Sequence, residues 1–147
     1  MKQAIVSGAT GFIGIHLVNE LIKNGVKVVA LCREGSVNSE RIPKEASAVC
    51  CGMDDYHKLS EILKDGGYDV FYHLAWEGAT GSGRANAELQ TKNALRTLEA
   101  LKAANAVGCD KFIATGTVYE NFYEQMSDSN EFKNAAFYIM RDRKSVV

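Results

Sequence analysis

The chain has little of what marks a membrane, secreted or metal-built protein. No apolar run approaches the ~18 residues of a membrane span, and the chain opens with the short strand-like run "QAIVSG". A signal peptide would need a basic start and a longer apolar stretch. Proline occurs only as Pro43, inside the polar stretch 33–46. Cysteine is confined to Cys32, Cys50, Cys51 and Cys109, none in a C-x-x-C pair. Adjacent Cys50 and Cys51 cannot form a metal knuckle, so no metal site is expected. Buried free thiols of a cytoplasmic protein are expected instead. A net charge of −1 gives no basic surface for nucleic acid and no charge bias toward a membrane.

What is present is ordinary globular composition. The 147 residues, 46% hydrophobic and 24% charged, suffice for one domain with a real core. No internal repeat, low-complexity tract or interdomain linker interrupts them. Strand-like and helix-like segments alternate. Strands are expected at 2–7, 26–32, 47–52, 68–76 and 109–116. Helices are expected at 12–25, 54–67 and 84–106, with a short one near 39–46. The first helix carries Ile13, Leu17, Val18, Leu21 and Ile22 at helical spacing and stops at Asn24-Gly25. The long helix carries Leu89, Leu95, Leu98 and Leu101 as its apolar stripe. The run "YDVFYHLAW" is nearly all apolar, as a strand covered on both faces should be. Such alternation implies right-handed crossovers and a doubly wound parallel sheet.

Between the first strand and first helix stands "SGATGFIG", with Gly8, Gly11 and Gly14 spaced G-x-x-G-x-x-G. A dinucleotide site needs small residues there. The chain turns tightly, the backbone approaches a pyrophosphate, and the helix packs on the strand. The helix start then offers free N–H groups and its positive end to the phosphates. A glycine-rich structural turn is the plainer alternative; the strand–turn–helix context favours the dinucleotide.

At this point the sequence resembles the extended short-chain dehydrogenases/reductases, the NAD(P)-dependent epimerase/dehydratase family. "SGATGFIGIHLVNELIKNG" is similar to that family's opening, and "YDVFYHLAW" to its fourth strand, where Trp76 replaces a small residue. "NALRT" resembles its Asn-x-x-x-Thr, and "KFIATGTVYE" its fifth strand and the segment after it. The resemblance covers residues 2 to about 140. It implies a three-layer α/β/α Rossmann fold, truncated, with parallel strands in order 3-2-1-4-5 and the cofactor across the C-terminal strand ends. The expected lining is Gly8, Thr10, Gly11, Phe12, Ile13, Gly14, Arg33, Met53, Asp54, Leu74, Ala75, Trp76 and Asn93.

The end of strand two bears on cofactor choice. NAD enzymes usually hold a carboxylate there for the adenosine ribose. Cys32 occupies that position and Arg33 follows, which suits a 2′-phosphate. Glu34 argues the other way if the strand end slips by two, and Arg33 as a solvated loop residue is the plain reading. NADP is favoured over NAD. Gly52 stands where the family often has an acid, so Met53 and Asp54 are the expected adenine pocket.

The resemblance further implies hydride transfer at a sugar carbon, with a tyrosine moving the hydroxyl proton. A free phenol titrates near ~10, so the tyrosine needs a lysine at i+4 to favour its phenolate. Tyr138, 23 residues beyond Thr115, is the candidate base, with an ordinary aromatic on a terminal helix as the plain reading. Thr115 is the candidate hydroxyl, with Thr117 the alternative and strand-end capping the plain reading. Position 142 is Asp142, the wrong charge. "DRKSVV" resembles one translated frame of a sequencing-adapter oligonucleotide. Residues 1–140 are therefore expected to be the NAD(P)-binding domain and 141–147 a non-native tail, with the C-terminal substrate part absent and this chain inactive alone. The function expected is the cofactor half of a nucleotide-sugar epimerase, dehydratase or reductase. A non-catalytic NAD(P)-binding sensor is the alternative. The partner implied is a nucleotide sugar, and the resemblance admits a homodimer of the full-length form. Which sugar is not legible.

Overall fold

A computed structural model describes residues 1–64 and 66–116; Thr117, Tyr138 and the segment 141–147 lie outside the described residues. Among the described residues five parallel strands make one sheet: β1 (Gln3–Ser7), β2 (Lys27–Cys32), β3 (Ser47–Cys50), β4 (Val70–His73) and β5 (Lys111–Ala114), in the order β3-β2-β1-β4-β5. This is the expected order. Ser7, Cys32, Cys50, His73 and Ala114 consequently end their strands along one edge. β1 is central, and its Ala4, Ile5 and Val6 are fully buried.

Helix α1 (Phe12–Lys23) packs on one face of the sheet, where Val18 and Leu21 join Ala4, Val6, Val28 and Ala30. It ends as the sequence signals: Gly25 takes φ 77°, and Val26 N–H returns to the Leu21 carbonyl at 3.0 Å. The other face is covered by α3 (Ala87–Ala106) and by Tyr56 and Leu59 of an intervening segment, packed on Ile5, Leu31, Phe71 and Phe112.

Several expectations need correction. The helix expected over 54–67 is a 3₁₀ segment, Met53–Lys58, running into a single α-turn, α2 (Leu59–Ile62). Asp55 N–H bonds the Gly52 carbonyl three residues back, and Tyr56 and Leu59 both plug the core, so the tight turns place two anchors. The long helix starts at 87 rather than 84. Asn86 caps it by accepting from Leu89 N–H at 3.0 Å, and a short 3₁₀ turn, Gly81–Ala85, precedes it. Near 39–46 only the 3₁₀ turn Ser39–Arg41 forms.

The leucine stripe holds only in part. Leu101 packs against the core and Leu89 is half-buried, but Leu95 and Leu98 are exposed, and α3 buries Asn93, Arg96, Ala100, Ala103 and Ala104. In α1, Ile13 is exposed and Ile15 is buried in its place. The thiols divide as well: Cys51 is buried, Cys32 and Cys109 half-buried, and Cys50 exposed on the edge strand. Burial pushes the Cys51 and Cys109 thiols up to about 11.

Candidate functional site

The turn after β1 is built on steric necessity. Gly8 has φ 68°, and a Cβ there would lie 2.7 Å from the Ala75 nitrogen and 2.8 Å from the Leu74 carbonyl carbon. A Cβ on Gly14 would lie 2.1 Å from the Gly8 carbonyl oxygen. Only glycine lets β1's turn, the start of α1 and the continuation of β4 meet so closely. Gly11 N–H closes the turn on the Gly8 carbonyl at 3.0 Å. Gly11 then caps α1 with no side-chain acceptor, which leaves the first-turn N–H groups without a side-chain cap.

Beneath this turn lies a buried polar relay. Thr97 Oγ1 donates to the Asn93 carbonyl at 3.0 Å, so its oxygen accepts from His73 Nε2–H at 3.2 Å. His73 Nδ1 is hydrogen-bonded to the Ser7 hydroxyl at 2.9 Å, and the Ser7 oxygen accepts from Ala75 N–H at 3.4 Å. The Thr97 bond places a proton on the Nε2 side of the ring. The relay joins β1, β4 and α3 under the turn and holds Ala75 against Gly8. His73 is also stacked on Phe112, centroids 5.9 Å apart.

The loop after β4 is fastened to α3. Asn93, fully buried, donates to the Glu77 carbonyl at 2.8 Å and accepts from Glu77 N–H at 3.3 Å. Trp76 Nε1 donates to Gln90 Oε1 at 2.8 Å, and Gln90 Nε2 donates to the Gly83 carbonyl at 2.7 Å. Arg96 ties this loop to the opposite wall. Its Nε and Nη2 grip both Asp54 oxygens at 2.8 and 2.7 Å, and its Nη1 donates to Glu77 Oε2 at 2.7 Å. Hydrogen bonding from the guanidinium brings the Asp54 carboxyl down to about 2. The same bonds raise Arg96 above its ordinary value.

These elements enclose a groove of about 890 Å³ along the C-terminal strand edge. Gly8, Thr10, Gly11, Arg33, Met53, Asp54, Leu74, Ala75 and Trp76 all line it. The remaining sequence candidates stand elsewhere. Phe12 and Ile13 are exposed at the helix start and Gly14 is packed on Gly8, all outside the lining. Asn93 lies behind the groove as the pin of the Glu77 loop, so its amide is committed to backbone. Thr115 is exposed beyond β5, its N–H bonded to the His73 carbonyl at 3.4 Å, and does not line the groove.

The structure adds lining residues that the sequence reading lacked: Ser36, Asn38, Tyr56, Glu77 and Arg96. Burial pushes the Tyr56 phenol up to about 12. Cys32 and Cys50, register partners across β2 and β3, also line the groove. Burial first, then the neighbouring Cys50, raises the Cys32 thiol.

The residues fit a dinucleotide. The glycine cradle would be filled by any Cβ, Gly11 at the N-cap of α1 lines the groove, and Arg33 stands just after β2. Among the described residues no helix is long and apolar enough to cross a membrane.

Comparison with known proteins agrees. The family model for the NAD dependent epimerase/dehydratase family matches residues 4–141. A UDP-glucose 4-epimerase of Klebsiella pneumoniae is 30% identical over 129 residues, covering 80% of this chain and 91% of that one. The CDP-abequose synthase of Salmonella typhimurium is 35% identical over 120 residues, 80% of this chain and 39% of that protein. A sterol-4-alpha-carboxylate 3-dehydrogenase (decarboxylating) of Dictyostelium discoideum is 35% identical over 82 residues, 56% of this chain and 24% of that protein. The chain thus spans well under half the length of these last two relatives. Among solved structures, an epimerase of Methanothermobacter thermautotrophicus superposes with TM-score 0.69 at 27% identity, covering 81% of this chain and 36% of that one. The UDP-glucose 4-epimerase of Thermus thermophilus in complex with NAD superposes at 0.68 with 22% identity, covering 78% and 37%, and shares the fold. The chain belongs to the NAD-dependent epimerase/dehydratase family.

Proposed function

We propose that this chain is the cofactor-binding half of a nucleotide-sugar epimerase, dehydratase or reductase, and that its groove takes NADP in preference to NAD. The carrying observation is the meeting of Gly8 with the Leu74–Ala75 backbone in a groove that Arg33 also lines. Gly8, Thr10 and Gly11 hold the pyrophosphate against the start of α1. Arg33 pairs with a 2′-phosphate, and the apolar wall of Leu74 and Ala75 excludes water from the deep end. Nicotinamide, when bound, supplies the acceptor for hydride from a sugar carbon. The nucleotide-sugar substrate is supported by the relatives, two of which are named for nucleotide-sugar chemistry. Thr115 is the proposed hydroxyl that hydrogen-bonds the substrate oxygen, with Thr117 the alternative. Tyr138 is the proposed proton-transfer group.

Calorimetric titration with NADPH and NADH tests this reading. NADPH is expected to bind about tenfold or more tightly than NADH, as one charge-assisted pair would give. Arg33→Ser should erase the difference by weakening NADPH alone. Equal affinities in the unmodified chain would refute the NADP preference, and no binding of either would refute the cofactor site. Reduction of bound NADP+ to NADPH, with matching oxidation of one of a panel of nucleotide sugars, would support the enzyme reading. Tight binding without turnover in a protein with its substrate part present would favour a sensor.

A further inference from the structure

Two of the four thiols meet on one wall of the groove. Cys32 ends β2 and Cys50 ends β3, and the two are register partners in a parallel pair. Register partners send their side chains to the same face of a sheet. Their neighbours fix which face. Cys32 packs with Val28 and Ala30 on the α1 side, whereas Val49 and Cys51, on either side of Cys50, pack with Leu31 and Tyr56 on the other. Neighbouring strands lie about 4.8 Å apart, inside the range of about 4.4–6.8 Å that separates the Cα atoms of a disulfide. Both thiols are free and both residues line the groove. They are unequal. Cys50 is exposed, while Cys32 is half-buried and its thiol donates to the Val49 carbonyl at 3.7 Å. Position excludes the other two: Cys51 is buried on the opposite face, and Cys109 precedes β5, at the opposite edge of the sheet.

We propose that Cys32 and Cys50 are a redox-modifiable thiol pair, in which Cys50 captures a small-molecule disulfide at the groove and Cys32 resolves it into a disulfide across β2 and β3. The Cys50 thiolate attacks one sulfur of the incoming disulfide; that bond breaks, a mixed disulfide forms and the first small thiol leaves. The Cys32 thiol gives its proton to water and attacks the Cys50 sulfur, and the second small thiol leaves. The two protein thiols lose two electrons in all, and the external disulfide takes both as it is reduced to two thiols. The order follows access, since Cys50 is exposed and burial holds the Cys32 thiol up. The bridge would staple the connection between β2 and β3, which carries Arg33, Ser36 and Asn38 on the groove wall. A dinucleotide filling the groove would cover both sulfurs, so oxidation belongs to the open groove. This last coupling rests on the dinucleotide reading above; the thiol pair itself does not.

The test uses the whole chain and oxidised glutathione. The count of free thiols should fall from four to two. Trypsin, cutting after Arg33 and Lys44, should then release peptide 28–33 joined to peptide 45–58. Cys50→Ser should abolish that cross-link and Cys51→Ser should retain it. Cys32→Ser should stop at the mixed disulfide, with one glutathione on Cys50. In urea the pairing should scatter, because only the fold brings the two together. A cross-link that is missing from the unmodified chain, that survives Cys50→Ser, or that joins two chains instead would overturn the proposal. NADP+ at ten times its Kd should slow the cross-linking about tenfold, by occupying the groove. NADP+ that binds in the calorimeter yet leaves the rate unchanged would overturn the coupling. NADP+ that does not bind would sink the dinucleotide reading, and the cross-link would still decide the thiol pair.

Discussion

The two long helices cover opposite faces of one sheet by different chemistry. α1 buries Ile15, Val18 and Leu21 and stands on β1 and β2 as an apolar wedge. α3 buries an asparagine, an arginine and three alanines, and leaves Leu95 and Leu98 outside. The difference follows from position. α1 meets the groove only through its N-cap, Gly11, so the rest of it is free to be a hydrophobic element. α3 runs beside the groove for its first half. There Asn93, Arg96 and Thr97 hold the β4 loop, Asp54 and His73, and small alanines let the second half lie close to Phe71 and Phe112. A buried polar side chain survives in such a place because each finds its partners; among the described residues no buried side-chain nitrogen or oxygen lacks one.

The largest expected effect breaks the shared frame under both helices. Gly14→Val would put side-chain atoms onto the Gly8 carbonyl, whose oxygen already lies 2.1 Å from the place of a Cβ. Backbone on both sides cannot yield cheaply, so cofactor binding should be abolished and denaturant unfolding should shift by roughly 3 kcal/mol or more. Next is Leu21→Ala in α1, a buried position, expected to cost about 2–5 kcal/mol in the same measurement with little change in cofactor selectivity. Arg96→Ala in α3 should cost less, about 1–3 kcal/mol, because Asp54 and Glu77 can still reach water. Leu98→Ala should fall within about 0.5 kcal/mol of the unmodified chain, since the residue is exposed in these described contacts. If Leu98→Ala cost as much as Leu21→Ala, the assignment of α3's buried face would be wrong.

Acid sharpens the same contrast. The Asp54 carboxyl is held near 2, below its ordinary 3.8, chiefly by hydrogen bonding from Arg96. A depressed folded-state value contributes stability above about pH 4 that is lost as pH falls toward 2. Asp54→Asn should flatten that part of the acid limb of unfolding. Leu21→Ala should lower the whole curve without changing its shape.

The sheet was legible because β1 to β4 are short apolar runs bounded by polar turns, and parallel strands covered on both faces read that way. The glycine turn was legible because each of its constraints is local to eight residues. The 54–67 segment was misread as helix because its composition suits one, whereas Gly52 starts it and Tyr56 and Leu59 pin it as tight turns. The α3 face was misread for a deeper reason. Hydrophobic periodicity assumes that buried means apolar, and here two of the four leucines, Leu95 and Leu98, lie outside. One signal was available: Asn93, Arg96 and Thr97 share a face, and polar residues at i, i+3 and i+4 on an otherwise apolar-patterned helix invite a search for partners. Their partners, Glu77, Asp54 and His73, are distant in sequence, and only the fold brings them together.

The most direct test of the groove uses the chain's single tryptophan, which lines it. Trp76 emission should be quenched saturably as NADPH is added, through energy transfer to the bound nicotinamide. The quenching should vanish in Gly8→Val, whose side chain would strike the Leu74–Ala75 backbone, and persist in Leu98→Ala. Absence of saturable quenching in the unmodified chain, or undiminished quenching in Gly8→Val, would contradict the placement of a dinucleotide against the glycine turn.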